Sequence, residues 1–399
     1  MTTTESTIDL MDLTAFAEDR EMPLFDELRE HDPVHWNAPS ANGPGFWALT
    51  RYADVKTAAS ETPELTSGDG TQIVDRKVEG ALRSIHHMDG AEHVALRRVT
   101  IPHLRAVKIA EWSERIDESV ALLLDEAEER GTFDLVDVIS SRLPMLVLSR
   151  VLGVPAEDAP RMVDWTNRMT SSDPDHAVDA AALAEARGEV MDYFDHLTAA
   201  RRKAPQNDLV STMVNGAVQG RPLTPDELAA YYIVLVAAGN ETTRHLVSSG
   251  MIALHRTDSW GRIERDPALL PTTVEEMFRW GSAVAAMRRT ATADFDIHGR
   301  QIAAGDKVVL WFSAANRDPE VFDAPHEFRL DRTPNEHLSF GWGAHFCLGS
   351  HLARAEVRGL FTEILRRGIR LELADEPTRL RANLFRGWQH VPVRVVAKA

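Results

Sequence analysis

The chain holds one cysteine in 399 residues, and it lies in the run Phe340-Gly341-Trp342-Gly343-Ala344-His345-Phe346-Cys347-Leu348-Gly349. A lone cysteine forms no disulfide within its chain and builds no four-cysteine zinc or iron–sulfur centre. Its remaining roles are nucleophile, redox sensor, axial ligand to a haem iron, or inert core residue. Three glycines and a histidine within ten residues make a loop for close backbone approach, not a packing segment. The residues that follow, from Ser350, continue at helical spacing, with Leu352, Ala355, Leu360 and Ile364 on one apolar stripe. A thiolate at the start of that helix meets backbone N–H groups and the positive end of the helix dipole, which stabilise negative sulfur. Small-residue loop, thiolate and helix together suit a large flat cofactor lying against the backbone. A dinucleotide reading of Gly341-Trp342-Gly343 fails, because Phe346 stands where the third glycine belongs and no strand leads into the loop.

A second constellation begins at Thr224, an N-cap followed by Pro225 and by Glu227 as capping-box partner. The helix this predicts is apolar nearly all round through Ala238 and then carries Gly239-Asn240-Glu241-Thr242-Thr243-Arg244. A glycine inside such a helix costs about 1 kcal/mol against alanine, and an acid with two threonines is costly to bury unless satisfied. Local penalties clustered in this way mark a functional site. Thr242 is placed to bond back to the carbonyl of Ala238, opening the backbone ladder beside Gly239, and Glu241 to relay protons. Further on, Glu276 and Arg279 stand three apart and share a helix face.

These segments resemble the cytochromes P-450. Phe340, Gly341, Gly343, His345, Cys347 and Gly349 fill every fixed position of that family's haem-binding loop, and Ala238 to Thr243 match its oxygen-activation motif. The resemblance implies haem b held by the Cys347 thiolate, with Phe340, Gly341, Gly349 and Ala238 against it and Glu241 and Thr242 as the catalytic pair. His93, Arg97, Arg289 and His345 correspond to the family's propionate-binding cations. Glu276 and Arg279 correspond to its buried structural pair, with Arg332 expected as the third member because Glu327 stands where many members carry arginine. The substrate pocket is expected from the loop Thr66 to Asp89, including Ile73, from Val234 and Gly239, from Val284 and Ala285, and from Phe385 on the last loop. The implied reaction is O2-dependent C–H oxidation of a hydrophobic small molecule, terpene-like, steroid-like or a specialised metabolite. An alternative use of the same chemistry is oxidative ring closure or C–N or C–C coupling in making an aromatic or indole-peptide product. A peroxide-using enzyme needs no Glu241–Thr242 pair, and neither does a non-catalytic haem-thiolate sensor.

Composition sets the remaining expectations. With 44% hydrophobic and 26% charged residues the chain can bury a large core. Nothing reads as a linker or repeat, so residues 20–399 are expected to form one catalytic domain after a polar extension over 1–19. Helices are expected near 106–130, 135–152, 176–203, 224–256, 270–280 and 350–367, and short strands near 46–49, 296–303, 306–312 and 391–397. That is a mainly α fold with a small β region, and the resemblance implies a haem between the long central helix and the cysteine loop. The net charge of −17 argues against nucleic acid. No stretch has the ~18 apolar residues of a membrane span and no basic, apolar leader opens the chain, so a cytoplasmic monomer is expected. The resemblance implies a separate ferredoxin or flavodoxin with its reductase, and Arg98, Arg105, Lys108, Arg354 and Arg358 are expected to form a local basic patch on which it docks.

Overall fold

The computed structural model describes residues 8–60, 62–75, 82–170 and 180–397. It is mainly helical, and its longest helix, Pro225–Arg256, carries the capping box expected of it: the Thr224 hydroxyl accepts from the Glu227 amide and the Glu227 carboxylate from the Thr224 amide. This central helix is buried along most of its length because it is apolar on nearly every side. Around it pack Arg142–Leu152, Ala159–Thr170, Ala180–Lys203 and Leu270–Gly281, and Ser350–Arg367 follows the cysteine loop. The expected helix over 106–130 is broken at Glu111–Trp112, and that over 135–152 opens with a π-helical turn at Val136–Ser140. Residues 176–179 of the expected 176–203 helix lie outside the described residues.

The main sheet has five strands in the order Val34–Asn37, Phe46–Leu49, Lys307–Trp311, Ala286–Ala291, Leu65–Thr66. Only the pair between Phe46–Leu49 and Lys307–Trp311 is parallel. The strand expected over 296–303 is a hairpin, Phe295–Ile297 with Arg300–Ile302, turning through His298 and Gly299, both at positive φ. Residues 10–16 do not behave as a polar extension. Leu10, Met11 and Phe16 are buried, and Phe16 stacks on Trp311 at 5.8 Å, so the packed body begins well before residue 20. The reason is hydrophobic: Leu10, Met11, Leu13 and Phe16 give the segment an apolar side among its acids.

One carboxylate organises the ground beneath the cysteine loop. Glu276 is fully buried, and Arg279 grips it with Nε at 2.8 Å and Nη2 at 2.7 Å. Arg332 adds its Nε at 3.1 Å to both oxygens, and the Arg329 amide and Asn335 side chain complete the shell. The spare guanidinium N–H groups donate to the carbonyls of Asn316, Asp323, Ala324, Pro325 and Glu327. Glu327, in the place where the family often has arginine, contributes only its backbone. The helix Leu270–Gly281 is thereby tied to residues 316–335, from which the cysteine loop springs.

Removing the carboxylate leaves two buried guanidinium groups unpaired. Glu276→Ala is therefore expected to cost about 3–5 kcal/mol of stability. Urea unfolding of the purified variant against the parent protein measures it, and an unchanged midpoint would refute the bracing role.

Candidate active site

The cysteine loop is closed by the Cys347 amide donating to the Phe340 carbonyl at 2.9 Å, and Gly341 and Gly343 turn inside it at φ of +68° and +69°. A β-carbon on Gly343 would also stand 3.0 Å from the backbone of Ser60, so glycine is required there twice over. Gly349, the N-cap of the cysteine helix, donates its amide to the sulfur. Cys347 is exposed, although protein atoms crowd round it and burial pushes its thiol pKa up, against Gly349, Arg97 and Arg354. Both hold when a side chain opens onto an interior cleft rather than onto the outer surface. Phe340 is buried under the loop, against Phe278 and the Arg354 guanidinium.

Cations collect beside the sulfur. His93 is fully buried and its ring stacks on His345 at 4.1 Å. Arg97, one turn further along Gly90–Leu104, donates to the Phe346 carbonyl. Arg289, on the strand Ala286–Ala291, is buried, with Asp89 the carboxylate that opposes its desolvation. His345 Nε2 lies 3.0 Å from Asp89 Oδ1. Asp89 occupies the N-cap position of the helix Gly90–Leu104, yet it does not cap it. Its other oxygen takes the Thr66 hydroxyl at 2.6 Å and the Ser67 amide at 2.8 Å. Burial alone would raise its pKa; the hydrogen bonds from Thr66, His345 and Ser67 bring it to about 2 instead. His86 joins the group, pushed to about 4 by burial and by His87, His345, Arg97 and Arg289. Asp89 and His86 were both overlooked as site residues in the sequence; the legible signal was a histidine and an acid three apart before His93.

Opposite stands the central helix. Ala238 is exposed and Thr242 half-exposed in the middle of a buried helix, as residues facing an interior cleft would be. Thr242 Oγ1 bonds the Ala238 carbonyl at 3.1 Å as expected, but the helix runs unbroken, so the hydroxyl shares the carbonyl without opening the ladder. Glu241 turns elsewhere: it is buried, with Oε1 3.1 Å from Arg244 and Oε2 2.9 Å from His245. The next residue, Thr243, bonds Glu356 of the cysteine helix, which joins the two walls of the site. Burial drives the Glu356 carboxyl well above the ordinary carboxylate range, Thr243 alone opposing it.

The expected pocket residues divide. Val284 and Phe385 pair through an antiparallel bridge and are half-exposed, as a cleft wall requires. Ile73 and Ala285 are instead packed into the cluster of Phe16 and Trp311, and Val234 into the main core, so their side chains are spoken for. Gly239 faces away as well: a β-carbon there would lie 2.7 Å from Leu148, so the glycine admits the neighbouring helix Arg142–Leu152 rather than a substrate. Residues 76–81 of the expected distal loop lie outside the described residues. Arg386, missed in the sequence, anchors the last loop by its Nε to Glu21 at 2.7 Å and Nη2 to Asp19 at 2.9 Å.

A thiolate loop, a flanking ring of cations and an acid–alcohol helix define the class of haem-thiolate oxidoreductases, because the cations match the carboxylates that such a flat cofactor carries. The comparisons agree. The family model described as "Cytochrome P450" matches residues 265–379. The methyl-branched lipid omega-hydroxylase of Mycobacterium tuberculosis (strain H37Rv) is 36% identical, the match covering 96% of this chain and 93% of that protein. Linalool 8-monooxygenase of Pseudomonas putida is 32% identical, over 94% of this chain and 95% of its own. The crystal structure of CYP108D1 from Novosphingobium aromaticivorans superposes with a TM-score of 0.90 at 32% identity, covering 97% of both chains. The chain belongs to the cytochrome P450 family, whose members carry haem on a cysteine thiolate and act as monooxygenases.

His93 gives the site a titration signature. Burial, with His345 and Arg97 close by, lowers its pKa from 6.5 to about 4. A histidine that binds its proton less readily folded than unfolded adds stability above pH 6.5, and that stability is lost as pH falls toward about 4. His93→Phe is expected to flatten the pH dependence across that interval in haem-free protein, as read from urea midpoints at successive pH values.

Proposed function

We propose that this protein hydroxylates a hydrophobic lipid or terpenoid, with Cys347 as the proximal haem ligand and electrons drawn from a separate carrier protein. The observation that carries the reading is that the chain's one thiol is exposed in its glycine loop and Thr242 half-exposed in an otherwise buried helix, while His93, Arg97, Arg289 and His345 gather beside the loop. Those four, joined by His86, are the residues that would receive the two propionates. Burial and neighbouring cations lower the pKa of all three histidines, His345 acting on both His86 and His93 and Arg289 and Arg97 on His345. Haem so held supplies activation of O2 for insertion into a C–H bond.

The chain's own work is orientation and proton handling. Ala238, Val284 and Phe385 offer the cleft apolar surface that places a hydrocarbon and excludes water. Thr242, held to the Ala238 carbonyl, keeps its hydroxyl at the cleft, and Glu241 one residue before it is the acid that replenishes the proton. The substrate class is supported by the relatives named for methyl-branched lipids and for linalool. Electron delivery fits the face behind the cysteine loop, where Arg98, Arg105 and Arg358 are exposed. Arg354 and Lys108 contribute less charge there, being paired with Glu275 and Glu111.

Cys347→Ser is expected to lose the strongly red-shifted band of the reduced carbon monoxide complex; retention of that band would end the haem-thiolate reading. Thr242→Ala should keep the band and lose product relative to oxygen consumed by roughly tenfold or more, measured with purified redox partners and a branched fatty acid or linalool. Arg105→Glu with Arg358→Glu should slow reduction by a ferredoxin and weaken its dependence on ionic strength, while dithionite reduction stays unchanged.

A further inference from the structure

The central helix buries a histidine that the site as described leaves without a task. His245, 1% exposed, lies one turn beyond Glu241. Its Nε2 is 2.9 Å from Glu241 Oε2, and its Nδ1 is 3.4 Å from the backbone nitrogen of Trp388. An amide nitrogen only donates, so Nδ1 must meet it with a lone pair. The proton of a neutral imidazole then sits on Nε2 and is donated to Glu241. Protonating the ring would cost the Trp388 bond. Burial opposes the charged form as well, against the pull of Glu241, the other charged groups facing the ring being Arg244 on its own helix and Arg379.

The same ring rests on the last loop. A β-carbon at Gly387 would stand 2.1 Å from Nδ1, so only glycine leaves the imidazole its place. The Phe385 ring lies 6.1 Å away, and Phe385 pairs with Val284 at the cleft wall. One imidazole therefore touches the acid on one side and the loop that carries pocket residues on the other.

We propose that His245 is a positioning residue for Glu241: its neutral Nε2–H holds the carboxylate in place, and the loop from Asn383 to Trp388 fixes the ring. The packing of the last loop thereby sets the readiness of the acid. This rests on the proposed role of Glu241, and one arm of its test needs no turnover.

In the diamagnetic ferrous carbon monoxide holoenzyme, nitrogen NMR of labelled histidines, assigned by loss of one signal in His245→Gln, is expected to show His245 neutral, protonated on Nε2. It should not titrate between about pH 6 and 8. A proton on Nδ1, or an ordinary titration, would overturn the proposal. In turnover, His245→Leu should lower product per oxygen by about tenfold, the value of one hydrogen bond to a charged group. His245→Gln, whose amide both donates and accepts, should restore most of it, and Gly387→Ala should behave like His245→Leu. Equal coupling in the Leu and Gln variants overturns the role; if His245→Leu does not fold, Gly387→Ala and the nitrogen spectrum decide. A parent protein lacking the red-shifted carbonyl band defeats the haem-thiolate reading itself, whereas a normal band with the wrong tautomer defeats only His245.

Discussion

The geometry of the site depends on the buried carboxylate of Glu276. Two guanidinium groups, one amide and one side-chain amide converge on its two oxygens, and the remaining donors of the arginines reach five backbone carbonyls between residues 316 and 327. A stretch of irregular chain has no ladder of its own to hold it, so its position must come from side chains. Here the position comes from charge in a dry interior, where an ion pair is worth keeping only with its other hydrogen bonds satisfied. The cysteine loop begins five residues after Asn335, and the sulfur stands where that anchored segment puts it.

Much of this was legible in the sequence because it depended on local chemistry. The capping box at Thr224 fixed the start of the central helix to a residue. The cysteine loop was readable since glycines at positive φ admit few substitutes. Arg332 was found by asking which nearby cation remained once Glu327 was excluded, and the structure places it on Glu276.

What escaped was set by distance along the chain. Ile73 and Ala285 look like pocket residues by position, but whether a small apolar side chain faces a cleft or a core depends on what arrives from elsewhere, here Phe16 and Trp311. Gly239 was read as a pocket residue, whereas Leu148 of another helix fills the space that it vacates. Asp89 sits where an N-cap belongs, and only the fold reveals that its carboxylate was diverted to His345. His245 carries no motif at all; its meaning comes from Trp388, 143 residues away.

The partnership of Asp19 and Glu21 with Arg379 and Arg386 joins the two ends of the chain, at separations of up to 367 residues. During synthesis those acids emerge from the ribosome long before their arginines exist. The loop bearing Phe385 and Gly387, and with it the support of His245, is therefore among the last parts to be assembled. A polypeptide interrupted a few dozen residues short of its end would possess the cysteine loop and the central helix, yet would lack the wall and the acid's brace that direct them.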